Sequence, residues 1–181
     1  NILKDRIDFV KLIPKDKKVL EIGPFFNPLL SGEKVFYFDI LDKEDLILRA
    51  KSLGLSQKPE NFPHIDFVSP TGNLEIIHDS FDVVLSSHCI EHQVNLIKHL
   101  NNVEQLLNPG GYYFLLAPDK RYCLDHFIPR SNLAQIIESY IENRIFHPMR
   151  SFLECRALTT HNEASKHWKG DHGDPFSSIK E

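Results

Sequence analysis

The chain has 181 residues, 41% of them hydrophobic and 25% charged, enough for one domain with a real core and too balanced for a disordered or fibrous protein. Lys and Arg number 21 against 25 Asp and Glu, a net charge of −4 that argues against attachment to nucleic acid by counterion release. Its longest apolar stretches, such as residues 112–117, fall far short of the roughly 18 residues that suggest a membrane span, and no charged-then-apolar leader opens the chain.

Ile2, Leu3, Ile7 and Val10 recur at helical spacing and predict a short leading helix stopped by Pro14. Residues 18–22 (KVLEI) read as a buried strand running into Gly23-Pro24, and residues 35–39 (VFYFD) as a second strand ending on a carboxylate. Only the twelve positions 23–34 separate them, so any crossover helix is a turn or two. Residues 42–53 predict a helix with Asp42 as cap and Gly54 as stop. Residues 64–68 and 81–86 read as strands three and four. A long amphipathic helix is expected next, with Ile90, Val94, Ile97, Val103 and Leu107 on one face. Asn108-Pro109-Gly110-Gly111 ends it, and residues 112–117 form a fifth strand. Near-continuous apolar strands alternating with helices predict a parallel sheet covered on both faces.

Beyond Pro118 the character changes. Ser131 is expected to cap a helix whose Leu133, Ile136, Ile137, Tyr140 and Ile141 form a core-facing stripe, and residues 150–157 suggest another helix. The stretch 159–181 is polar, rich in His, Asp and Gly, and has no strand signal. The division expected is a core over 1–130 and a helical, polar C-terminal region over 131–181 that caps substrate. Cys89, Cys123 and Cys155 form no CxxC pair, which favours a reducing, cytoplasmic setting. Ten histidines would carry the net charge from −4 to +6 on full protonation.

The chemistry concentrates at the ends of the strands. Ligands of open parallel sheets bind at the carboxyl ends of the strands, where the strand order reverses. Asp39, sixteen positions after Gly23, is placed to accept the hydroxyls of a ribose. A dinucleotide needs G-x-G-x-x-G, but Gly23 is followed by Pro24-Phe25-Phe26-Asn27, which removes the second and third glycines. A sulfonium cofactor without phosphates suffers less from that loss, and Glu21 and the face of Phe25 favour a cation.

The ordered set VLEIGP, the Asp39 strand end, FDVVLSSHCIEH and LLNPGGYYFLLAPDKRY resembles class I S-adenosylmethionine-dependent methyltransferases, closest to the methyltransferase type 11 group, over about residues 18–122. The resemblance implies an α/β, Rossmann-like, doubly wound and mainly parallel sheet with flanking helices. The last of the usual seven strands are not visible in this chain. It further implies that Glu21, Ile22, Gly23, Pro24 and Phe25 meet the methionine part of S-adenosyl-L-methionine. Asp39 would hold the ribose, Ile40, Asn73 and Leu74 would border the adenine, and Ser87 and His88 would sit beside the methyl group. The loop PFFNP departs from the family's glycine-rich loop.

An alcohol acceptor needs a base, and His88 is best placed, with His126, His161 and His167 as further candidates if the C-terminal region covers the pocket. Lys120 and Arg121 are candidate clamps for an anionic substrate, with ion pairs to nearby acids as the equal alternative. Strand four ends in Ser86-Ser87-His88-Cys89, without the Asn/Asp-Pro-Pro-aromatic turn of base-amino methyltransferases or the Pro-Cys of pyrimidine-ring enzymes. A small molecule or sugar is therefore expected, not nucleic acid. PDKRY and DHF resemble bacterial proteins found with saccharide-assembly enzymes, which suggests a glycan acceptor.

Two rivals stand beside this reading. One is a non-catalytic or truncated S-adenosylmethionine-binding domain, suggested by the altered loop and missing strands. The other is a zinc-dependent hydrolase using the HxxEH of residues 88–92. No metal ligands are assigned. His161, His167, Asp171, His172 and Asp174 are loosely spaced and read better as a solvated segment.

Overall fold

The computed structural model describes residues 5–177. The chain divides into two compact units, one of Asn1–Gln93 with Lys98–Leu116, the other of Val94–Ile97 with Ala117–Glu181.

The first unit is a Rossmann-like α/β structure. Its five strands are β1 (Val19–Ile22), β2 (Val35–Asp39), β3 (Phe67–Val68), β4 (Phe81–Ser87) and β5 (Leu107–Leu116). All pairings are parallel, in the order β3-β2-β1-β4-β5. The flanking helices are α1 (Arg6–Val10), α2 (Lys43–Ser52) and α3 (Leu96–Leu106). The chain winds from β1 outward to β3, then returns to lay β4 against the other side of β1, so the strand order reverses between β1 and β4. β1 is buried at every position, as a central strand covered on both faces must be. Leu20, Phe81, Val84 and Leu85 have no exposed surface. Each such side chain contributes about 1.5–3 kcal/mol of transfer free energy.

The crossover 23–34 contains no helix. Its place is taken by Glu21, whose carboxylate accepts the amides of Leu29 (2.8 Å) and Leu30 (3.1 Å), and by Tyr37, whose hydroxyl donates to the Leu30 carbonyl at 2.6 Å. α2 follows the sequence reading: Asp42 accepts the Asp45 amide as N-cap, and Gly54 takes φ +70° past the helix end.

Several elements differ from expectation. Of the leading helix, Ile2 and Leu3 lie outside the described residues. β3 shrinks to two residues. The long helix after β4 is broken: residues 90–92 form a 3-10 turn and α3 starts only at Leu96. The cause is tertiary, since His88 takes φ +57° and the Cys89 thiol is tied back to the Ile22 carbonyl at 3.2 Å. Ile90 and Val94 therefore never join the helical face, which buries His99, Asn102, Val103 and Leu106, while Leu107 already pairs with Phe81 in β5.

The second unit contains a 3-10 turn at Lys120–Tyr122, α4 (Leu133–Ile141), α5 (Met149–Leu158) and α6 (Ala164–His167). No strand forms among its described residues. Asn132, not Ser131, caps α4, because its side chain accepts the Gln135 amide while Gln135 reaches back to the Asn132 amide. The apolar stripe of α4 is not core: Leu133, Ile137, Tyr140 and Ile141 are exposed. The buried position is Ser139, whose hydroxyl donates to the Val94 carbonyl and whose carbonyl accepts from Asn95 Nδ2. Among the described residues no helix is long and apolar enough to cross a membrane.

Candidate functional site

The carboxyl ends of β1 and β4, with the neighbouring end of β2, are where the first unit departs from relaxed backbone. Gly23, Phe25 and His88 all have positive φ, at +71°, +48° and +57°. For Phe25 and His88 this is a conformation costing on the order of 1–3 kcal/mol each, the sort of strain that collects at ligand sites. At Gly23 no other residue fits. A Cβ there would stand 2.4 Å from the Cys89 sulfur, and the φ is itself unfavourable for an L-residue. Gly23 thus lets the ends of β1 and β4 close on one another. In the sequence Cys89 reads only as an unpaired cysteine after a strand; its role exists only once the two strands are neighbours.

Most amides of the β1 loop are engaged inside the protein. Gly23 donates to the Phe38 carbonyl, Asn27 to Pro24, and Leu29 and Leu30 to Glu21, while the Phe25 amide bonds to Asp39. Pro24 and Pro28 have no amide hydrogen. A pyrophosphate would therefore find few donors in this loop. Phe25 packs instead into an aromatic group with Phe26 and Phe62, at centroid distances of 4.8 and 6.1 Å.

Electrostatically the site is negative. Burial pushes the Glu21 carboxyl up to about 7 in spite of its two amide donors. Burial also raises Asp39, whose Oδ1 accepts the amides of Ile40 (2.7 Å) and Leu41 (3.4 Å). The Cys89 thiol is pushed up to about 12, first by burial and then by the fields of Glu91, Asp39 and Glu21. It is no nucleophile. Three carboxyl groups acting on one half-buried point make a setting that favours a cation.

The other positions fall around this centre. Ile22 ends β1 and accepts from Cys89, and Ile40 stands half exposed after β2. Gly72, also at positive φ, precedes Asn73, whose side chain caps the 3-10 turn Leu74–Ile76 and pairs with Glu75. Leu74 is buried in the main core cluster. Ser87 closes β4 and accepts from Cys89 at 3.4 Å. The His88 side chain is largely exposed, its amide bonded to the Leu116 carbonyl. A cleft of about 480 Å³ borders the loop at Phe26, Asn27, Pro28, Gln57 and Asn61.

HxxEH does not form the helical display a zinc peptidase needs. His88 lies in the left-handed region and residues 90–92 form a 3-10 turn. His88 and His92 instead flank Glu91 at 3.7 and 3.9 Å. His126, His161 and His167 lie in the second unit, gathered around His172. There Arg121 pairs with Asp119, holding that carboxyl down at about 2, and Lys120 donates to the His126 carbonyl. The ion-pair alternative is realised for Arg121 alone, since Lys120 is held by a backbone carbonyl.

Comparison with known proteins agrees with this geometry. A family model described as a methyltransferase domain matches residues 2–159. A curated relative, phthiotriol/phenolphthiotriol dimycocerosates methyltransferase 1 of Mycobacterium ulcerans, is 40% identical over 80 residues, 42% of this chain and 28% of that protein. The chain thus matches well under a third of that relative's length. The parallel sheet, the reversal between β1 and β4 and the family match over most of the chain lead to one conclusion: the chain belongs to the methyltransferase domain family.

Proposed function

We propose that the first unit binds S-adenosyl-L-methionine across the ends of β1, β2 and β4 and directs its methyl group to a hydroxyl of a small molecule or sugar. The observation that carries this reading is the placing of Glu21 near the end of β1, Asp39 at the end of β2 and Glu91 just past β4, the strand ends that surround the half-buried Cys89, beside a loop most of whose amides are already engaged. That combination suits a sulfonium cation and disfavours a pyrophosphate. When bound, the cofactor supplies an activated methyl group. The chain's part is alignment: Gly23 permits close approach, Asp39 accepts ribose hydroxyls, and the backbone after Gly72 borders the base. His88, exposed and fixed by its strained backbone, takes the acceptor's proton. The relative's name gives phthiotriol and phenolphthiotriol dimycocerosates, esters of triols, which supports a small-molecule acceptor, and the net charge of −4 weighs against nucleic acid.

Calorimetry with S-adenosylmethionine, its demethylated product and NADH tests the reading. The first two are expected to bind at one site and NADH not to. Saturable NADH binding without either sulfur compound overturns it. Cofactor binding with no transfer across a broad panel of alcohols and sugars would assign the chain a non-catalytic role instead.

A further inference from the structure

The second unit brings together three imidazoles that are far apart in sequence. His126 follows the 3-10 turn at Lys120–Tyr122, His167 ends α6, and His172 lies in the turn beyond it. One ring nitrogen from each lies within 4.8 Å of the others. We propose that His126, His167 and His172 form a binding site for a divalent transition-metal cation of the zinc class, a function separate from the cofactor site of the first unit.

The hydrogen bonds settle which nitrogens are available. His126 Nδ1 lies 3.0 Å from the Arg121 carbonyl, which can only accept, so Nδ1 carries the hydrogen and Nε2 of the neutral ring is bare. His167 Nε2 lies 3.1 Å from the His161 carbonyl, which likewise leaves Nδ1 bare. A carbonyl behind each ring, fixing tautomer and orientation, is the outer-shell arrangement of metal-binding histidines. His167 Nδ1 then accepts the proton of His172 Nδ1 at 2.9 Å. The ion takes the place of that shared proton, with His172 keeping its hydrogen on the other nitrogen.

Around a tetrahedral ion with bonds of about 2.0–2.1 Å, ligand nitrogens sit about 3.4 Å apart, a distance the present spacings bracket. His126 and His172 are stacked at 3.6 Å and 13°, so their in-plane lone pairs lie in near-parallel planes and do not meet at one ion. Ligation turns the His172 ring out of the stack, which is open to it because it is held by its bond to His167 and not by a carbonyl. Phe127 stands edge-on to both rings, and the Tyr122–Trp168 stack (3.8 Å) ties the same turn to the end of α6. Three imidazoles suit zinc, nickel, copper or cobalt better than calcium or magnesium. His161 contributes its carbonyl, not its ring, whose Nδ1 accepts the Glu163 amide.

The test uses the full chain without a histidine tag, stripped with chelator and dialysed. Titration with zinc, and separately with cobalt(II) followed by its visible absorption, is expected to show one-to-one binding and a raised melting temperature. His126→Gln and His172→Gln, both at partly exposed positions, should weaken binding by more than the roughly 10- to 100-fold typical of losing an outer-shell partner. His92→Gln should leave it unchanged. In the unmodified chain, zinc should protect His126, His167 and His172 from acylation by diethyl pyrocarbonate, read peptide by peptide; this measurement stands even if a variant fails to fold. No saturable binding of either metal by folded protein, or protection of other histidines in place of these, overturns the proposal.

Discussion

Asp39 carries two duties in a single carboxylate. Its Oδ1 holds the amides of Ile40 and Leu41, and in the proposed complex the group also receives the ribose hydroxyls. It does not cap α2, which is Asp42's role. Truncation to alanine strips the turn and the ligand together and is a poor probe. Asp39→Asn is better, since the amide keeps an acceptor for Ile40 while removing the charge. Losing hydrogen bonds to a charged group costs about 1.5–3 kcal/mol. At about 1.4 kcal/mol per tenfold, Asp39→Ala should weaken cofactor binding about 10- to 150-fold and lower the melting temperature. Asp39→Asn should show most of the first effect and little of the second. Calorimetry beside a ligand-free thermal scan separates them, and a dissociation constant unmoved in the asparagine variant would remove Asp39 from the ribose site.

The meeting of β1 and β4 depends on a glycine and a cysteine that the sequence separates by 66 positions. In Gly23→Ala the new Cβ meets the Cys89 sulfur at 2.4 Å and also inherits φ +71°. The backbone part alone is about 1–2 kcal/mol; the clash adds to it. Deleting the sulfur relieves only the clash, because the Cys89 Cβ stands at an ordinary 3.9 Å. Gly23→Ala should therefore be clearly more destabilising in wild type than in a Cys89→Ala background, where about 1–2 kcal/mol remains. A double-mutant cycle on denaturation midpoints reads the coupling, and strict additivity would show that the two residues do not touch. This pair also marks the limit of sequence reading. Local patterns sufficed for β1, β2, β4 and α2, where apolar runs and a cap coincide. They failed after β4, because the left-handed turn at His88 and the Cys89 tether are tertiary and interrupt a helical period that is real in the sequence. They failed again on α4, whose apolar stripe is exposed although its period is close to ideal. The twelve-residue crossover shows in the sequence that no ordinary helix fits there, but not that Glu21 anchors Leu29 and Leu30 in its place, since a side chain accepting backbone amides eight and nine positions on leaves no periodic pattern.

At the scale of the whole molecule, two buried groups pull stability in opposite directions with pH. His99, on the buried face of α3, bonds through Nε2 to the Tyr113 hydroxyl, which in turn meets Ser86. Burial lowers its ring from 6.5 to about 4. Between those values the unfolded chain binds the proton and the folded one does not, so this contribution is complete above pH 6.5 and is lost as pH falls toward 4. A shift of that size corresponds to about 3 kcal/mol. Glu21 is the converse case: its carboxyl, raised from 4.5 to about 7, keeps its proton longer in the folded state. Its contribution is complete below pH 4.5 and is lost as pH rises toward 7, by an amount of similar order, about 3 kcal/mol. In wild type the two slopes largely offset each other between pH 4.5 and 6.5. Each single variant should unmask the other group. His99→Gln, which keeps a partner for Tyr113, should be increasingly destabilised relative to wild type as pH rises from 4.5 to 6.5. Glu21→Gln should be increasingly destabilised relative to wild type as pH falls through the same window, because the His99 slope then runs unopposed. Urea midpoints at half-unit intervals from pH 4.5 to 7.5 give both difference curves. Curves that are flat, or that slope the same way, would mean that these two groups do not govern the acid response.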